Sequence, residues 1–228
     1  MWSDTWLLFQ VIWILLFLVG LETSGEPSAT TKPMVPPQTL RTQKEIEAAM
    51  VKSGIIPDLF LEAPKKLQAV LVEFEGNSTA DLGNHLPLRD LKHQIIPFIQ
   101  WRANETDYHT LMILNLDVPT REKPSQREWI VWLRVNIPGC RVMRGHQIIE
   151  YEVPDPEEDT GSHRYVALVY YQKQGKQKFR EFGLSIVPGN LPQECIRQKF
   201  QSRFFAADYD LDGPTGINFW ETQWEEII

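Results

Sequence analysis

The residues most able to do chemistry sit in two short stretches, Asn115-Leu116-Asp117 and His163-Arg164-Tyr165. In an extended strand residues i and i+2 share a face, so His163 and Tyr165 point together and Arg164 points away. An imidazole beside a phenol offers two hydrogen-bond donors suited to an oxyanion. The same pair also suits a half-buried histidine and tyrosine satisfied by the backbone. Along Leu111–Asp117 the same rule puts Leu111, Ile113, Asn115 and Asp117 on one face, and Pro119 ends the strand. Arg164 is expected to pair with an acid on its own face of the sheet. Arg121, Arg127 and Glu128 read as solvated or structural charges.

Other chemistries find no support in the residues. There is no G-x-S-x-G, H-E-x-x-H, P-loop or G-x-G-x-x-G pattern, so neither an enzyme nor a cofactor is expected. Asp208-Tyr209-Asp210-Leu211-Asp212-Gly213 opens like a calcium loop. The closing position falls on Phe219 instead of a bidentate Glu, so a helix-to-loop turn is expected there. Two cysteines cannot form a four-thiolate zinc site. The net charge of −7 and the absence of a basic run exclude electrostatically driven binding of nucleic acid.

The elements that position these residues begin after an unusual N-terminus. Trp6–Leu21 is an apolar run too short for a membrane span, followed by small residues up to Gly25. It reads as a secretory signal, residues 1–25, cut after Gly25, which makes the protein secreted and leaves no transmembrane segment in the mature chain. A retained anchor is the alternative, because Met1–Thr5 carries Asp4 and no Lys or Arg. Residues 26–42, rich in Pro, Ser and Thr, read as a flexible linker, and residues 43–228 as one domain. Export makes Asn77 and Asn104, both in N-x-[ST] sequons, candidate glycan sites. It also makes a Cys140–Cys195 disulfide expected, whereas in the cytosol the same pair would be two buried thiols.

Within the domain, Gln43–Ser53 reads as a short helix with Ile46, Met50 and Val51 on one face, stopped by Gly54. The period then switches to two. Strands are expected in 67–74, 95–101, 108–118, 128–137, 146–152 and 163–172, with no long helices between them. That argues for a mainly β fold, an antiparallel β-sandwich or barrel with a few peripheral helices. A helix over Leu191–Ala207, capped by Asn190, comes near the end.

Leu111–Trp129 and Thr160–Tyr171 together resemble the two signature regions of the phosphatidylethanolamine-binding protein family. That pattern runs D-P-D-x-P-(S/T)-R, then R-E-W-x-H, then G-x-H-R-(Y/F). Ile56–Pro87 resembles animal members, as does the spacing of Phe205, Tyr209, Leu211 and Pro214, so the likeness covers residues 45–224. The resemblance implies a β-sandwich with a small anion pocket near one end of a sheet. Its members bind phosphate-type head groups, and some inhibit kinases or serine proteases.

By that resemblance the ligand-binding positions are Asn115, Asp117, Pro119, Trp129, Val131, Asp155, His163 and Tyr165. Three of them depart from the pattern. Asn115 stands where the family has its first signature Asp, and Val131 where it has a histidine. Asp155 falls, counting back from His163 without a gap, where the family has a glycine. A lost imidazole removes a charge-assisted hydrogen bond of about 1.5–3 kcal/mol. A carboxylate near a phosphate repels it by about 1–4 kcal/mol. The expected function is therefore a secreted, non-catalytic binder of a small anionic or lipid head-group ligand, with its pocket weakened for phosphate. The alternative is an extracellular protein-interaction module, such as a serine protease inhibitor, meeting its protein partner through the acidic Asp155–Asp159 stretch.

Overall fold

The structure, a computed structural model, describes residues 40–92, 96–180 and 194–226. The signal segment, all but the last residues of the linker, and Asn190 lie outside the described residues. Thr42 opens α1 (Gln43–Lys52) with a capping box, its hydroxyl accepting from the Glu45 amide while the Glu45 carboxylate accepts from the Thr42 amide. Ile46 and Met50, one turn apart, are fully buried. Val51 is 57% exposed, contrary to expectation, because it lies about 100° around the helix from Met50. Gly54 terminates α1 at φ +69°, the left-handed conformation glycine adopts most freely, and α2 (Ile55–Asp58) follows.

The strands are β1 (Gln68–Ala69), β2 (Leu71–Glu73), β3 (Asn84–His85), β4 (Phe98–Gln100), β5 (Tyr108–Asn115), β6 (Trp129–Pro138), β7 (His146–Ile149), β8 (His163–Gln172) and β9 (Leu211–Thr222). Helix α3 (Leu88–Lys92) precedes β4, and α4 (Glu194–Arg197) and α5 (Ser202–Asp208) precede β9. The main sheet runs β1-β9-β8-β5-β6-β7, with β3 also on β9, while β2 and β4 form a separate pair. The chain is mainly β with a few helices, as expected, but the sheet is mixed rather than wholly antiparallel. Both β1 and β3 run parallel to β9, Gln68 opposite Gly216 and Asn84 opposite Trp220.

Alternation on the central strands feeds two cores. Met112, Leu114, Val166 and Leu168 face Ile46, Met50, Ile55 and Phe205 of the helices. Leu111, Ile113, Tyr165, Ala167 and Val169 face the other way, onto Val72 and Ile99 of the β2–β4 pair.

Three expectations need correction. Asp208–Gly213 is not a turn into a loop: Asp208 ends α5 and Leu211 begins β9, which lies inside the sheet. The single helix over Leu191–Ala207 is instead two, α4 and α5. The backbone between them leaves the helical path to pair with another segment, Lys199 N donating to Gln126 O and Phe200 N to Glu128 O. The Cys140–Cys195 disulfide is absent, and both residues are free thiols. Cys140 follows the end of β6, whereas α4, which carries Cys195, is tied to its beginning by Arg197 bonds to the Ile130 and Val131 carbonyls. A strand advances about 3.3 Å per residue, so most of β6 separates the two thiols. A disulfide tolerates a Cα separation of only about 7 Å.

Candidate functional site

A pocket of about 670 Å³ opens where β5 ends and β6 and β8 begin. Ladder register explains its walls, since Asn115 stands opposite Trp129 on one side and Tyr165 on the other. Asn115, Pro119, Trp129, Val131, Asp155, His163 and Tyr165 all line it. Tyr165 is held by stacking on Trp220, ring centroids 5.6 Å apart and planes 13° apart. Burial, with Tyr151, Glu152 and Asp155 nearby, pushes its phenol well above the ordinary range, so it stays a neutral hydroxyl.

Asp117 is the exception among the expected residues and does not line the pocket. The strand rule was extended past its end: β5 stops at Asn115, whose side-chain Oδ1 accepts from the Asp117 amide at 2.9 Å. That local turn swings Asp117 to the Arg164 side. Arg164 Nε and Nη2 donate to the two Asp117 oxygens at 2.8 and 2.7 Å, and the Arg164 amide donates at 2.9 Å. Arg127 adds a contact at 3.1 Å. Burial pushes the Asp117 carboxyl up, but the hydrogen bonds and charge of Arg164 and Arg127 outweigh it and hold it below the usual carboxylate range. Arg164 also donates to the Ser53 and Gly54 carbonyls and to Asp58, tying the α1–α2 turn to β8. The expected partner for Arg164 is thus Asp117 itself, and Arg127 is structural.

His163 is enclosed by short polar contacts. Its Nδ1 lies 3.1 Å from Asn115 Nδ2, and its Nε2 lies 2.9 Å from Thr160 Oγ1. Burial pulls its pKa below the ordinary histidine value, against the pull of the Asp117 and Glu157 charges. The imidazole is therefore neutral near pH 7.

Sequence reasoning missed the other side of the pocket. Glu152 lies on its wall, bonded by the Trp129 indole N–H and 3.5 Å from the Arg197 guanidinium. Glu157 joins it, and Gln126, Gln198 and Cys195 complete the rim. The acidic run from Asp155 was a visible signal for Glu157. Nothing local marks either Glu152, which follows β7 and is set beside β6 by its amide bond to the Val131 carbonyl, or Cys195, which reaches the pocket through the tertiary path of α4. Among the described residues the lining includes three carboxylates, Glu152, Asp155 and Glu157, and no Lys or Arg. Asp155 is 70% exposed and paired with Lys92 at 2.7 Å, so solvent and the lysine blunt its field.

The family model described as phosphatidylethanolamine-binding protein matches residues 76–207. The chain belongs to that family. Among its relatives, the putative odorant-binding protein A5 of Drosophila melanogaster is 29% identical over 81% of this chain and 83% of its own. The 26 kDa secreted antigen of Toxocara canis is 29% identical over 76% of this chain and 62% of its own. In fold, the chain resembles a carboxypeptidase Y inhibitor solved with its cognate proteinase, with a TM-score of 0.66 and 19% identity. That match covers 82% of this chain and 99% of the inhibitor. The phosphatidylethanolamine-binding protein of Plasmodium vivax matches with a TM-score of 0.62 and 18% identity, over 78% and 97% of the two chains.

Proposed function

We propose that this family member is a secreted, non-catalytic ligand-binding protein whose pocket has lost its preference for phosphate-type head groups. The observation that carries the reading is the charge of the lining among the described residues: three carboxylates, a neutral histidine and no Lys or Arg. A phosphate brought there meets repulsion of about 1–4 kcal/mol from an unscreened near carboxylate, according to effective dielectric, and least from Asp155 beside Lys92. Val131, an apolar side chain only 2% exposed, supplies no donor to offset it. The names of the odorant-binding and secreted-antigen relatives support a binding role outside the cell.

Calorimetric titration with a phosphoethanolamine ester tests this on wild type and on Val131→His/Asp155→Gly. One regained charge-assisted hydrogen bond, worth about 1.5–3 kcal/mol, corresponds to roughly ten- to 150-fold tighter binding. Val131→His is expected to contribute most, because Asp155 is already neutralised by Lys92. The two changes share one ligand and will not add. Equal affinity in wild type and double variant would sink the reading. A protein partner retained after Tyr165→Ala would instead move the function to the exposed Asp155–Asp159 surface.

A further inference from the structure

The contacts around His163 admit one arrangement of protons. A backbone amide can only donate, so the Asn115 atom that meets the Asp117 N–H at 2.9 Å is the carbonyl oxygen. The other branch, facing His163 Nδ1 at 3.1 Å, is then the NH2, which can also only donate. Nδ1 must accept, and the ring proton sits on Nε2. That proton goes to Thr160 Oγ1 at 2.9 Å, and the Thr160 proton goes on to the Glu157 carbonyl at 2.7 Å. Each contact from Asn115 through His163 and Thr160 to Glu157 then joins one donor to one acceptor. A second proton on the ring would set N–H against the Asn115 NH2, and the amide cannot turn over without orphaning the Asp117 amide.

We propose that Asn115 is a specificity-determining residue, fixing His163 as the neutral Nε2–H tautomer so that the pocket presents no cationic donor to a phosphate-type anion. The inference rests on the pocket being the ligand site and names the residue that sets its preference. The groups facing His163 are Asn115 from β5, Tyr165 on its own strand, Thr222 opposite it on β9, Glu221 through Ser162, and Thr160, Glu157 and Asp117 from the loops. Asp117 and Glu157 favour a charged ring, yet neither supplies an acceptor at Nδ1. An aspartate at 115 would supply one, keeping the Asp117 amide on one oxygen and taking an Nδ1 proton on the other.

Side-chain nitrogen NMR on the isotopically labelled full chain reads this directly. Wild-type His163 is expected as the Nε2–H tautomer at neutral pH, with a titration midpoint below the ordinary histidine value. Asn115→Asp is expected to raise its titration midpoint, with Nδ1 protonated. Thr160→Val, which leaves Asn115 in place, should keep the tautomer, so a folding failure of Asn115→Asp leaves a decisive measurement. A protonated Nδ1 in wild type, or a switch of tautomer in Thr160→Val, overturns the proposal. Binding of inorganic phosphate at pH 6 tests the consequence: Asn115→Asp in a Val131→His background should bind about tenfold more tightly than Val131→His alone. Equal affinity overturns the specificity role. If His163 is locked while Val131→His/Asp155→Gly still gains no affinity for phosphoethanolamine, the ligand-site reading fails and the lock stands.

Discussion

Asp117 is fully buried and receives the Arg164 side chain, the Arg164 amide and Arg127, while Arg164 is 1% exposed. Removing one member leaves the other as a buried charge without its partner. Arg164→Met or Asp117→Asn is therefore expected to cost about 3–5 kcal/mol by chemical denaturation. The double substitution should cost less than the sum of the two. The pH dependence follows from the depressed Asp117 pKa. Folding stability from this group is full above its unfolded value of about 3.9 and is lost as pH falls through the lower folded value. Asp117→Asn is expected to flatten the acid limb of stability below about pH 4. An unchanged acid limb would mean that other carboxylates set it. At this scale the sequence disclosed that Arg164 pairs with an acid and that His163 and Tyr165 share a face. It did not disclose which acid, because the two-residue period ceases where β5 ends and a side-chain turn takes over.

Among the elements, β9 depends on Asn218. This buried amide donates to the Val70 and Ala80 carbonyls at 2.6 and 2.9 Å and accepts from the Leu82 and Phe219 amides at 3.0 and 2.8 Å. It bridges the segments flanking β1 and β3 to the middle of β9. Asn218→Leu leaves four backbone groups without that partner, three of them buried and each costing about 1–3 kcal/mol if no water reaches it. Thermal denaturation should show one of the largest single-residue losses in the chain; a shift within about 0.5 kcal/mol, typical of surface changes, would refute this. The strands β5, β6 and β8 were legible because each is dominated by β-branched, aromatic and aliphatic residues with no glycine. In β9, Gly213, Pro214 and Gly216 interrupt the alternation, and the strand exists only because β8 and the short parallel strands pair with it. The break between α4 and α5 is likewise decided by partners far away in sequence, Gln126 and Glu128.

For the molecule as a whole, the pocket and the Asn104 loop lie toward opposite ends of β6. Asn104 is exposed and packs by Gly139, while the pocket begins at Trp129. Secreted material is expected to start near Glu26 and to carry a glycan on Asn104 that Asn104→Gln removes with no change in pocket binding. Intact mass checks the first point and glycosidase treatment the second. Thiol labelling of the native protein should find both cysteines reactive, Cys195 faster than the half-buried Cys140; a mass consistent with an internal disulfide would refute the distance argument. The position of β9 carries a consequence for biogenesis. It is the last along the chain of the described strands, yet it lies between β8 and β1 and β3, which come far earlier in the chain. Until it arrives, β8 has an open edge and Tyr165 lacks the Trp220 ring on which it stacks. Pairings this distant along the chain form slowly. For a polypeptide exported as proposed above, that delay keeps the chain unfolded and passable through a narrow translocation pore until β9 has emerged.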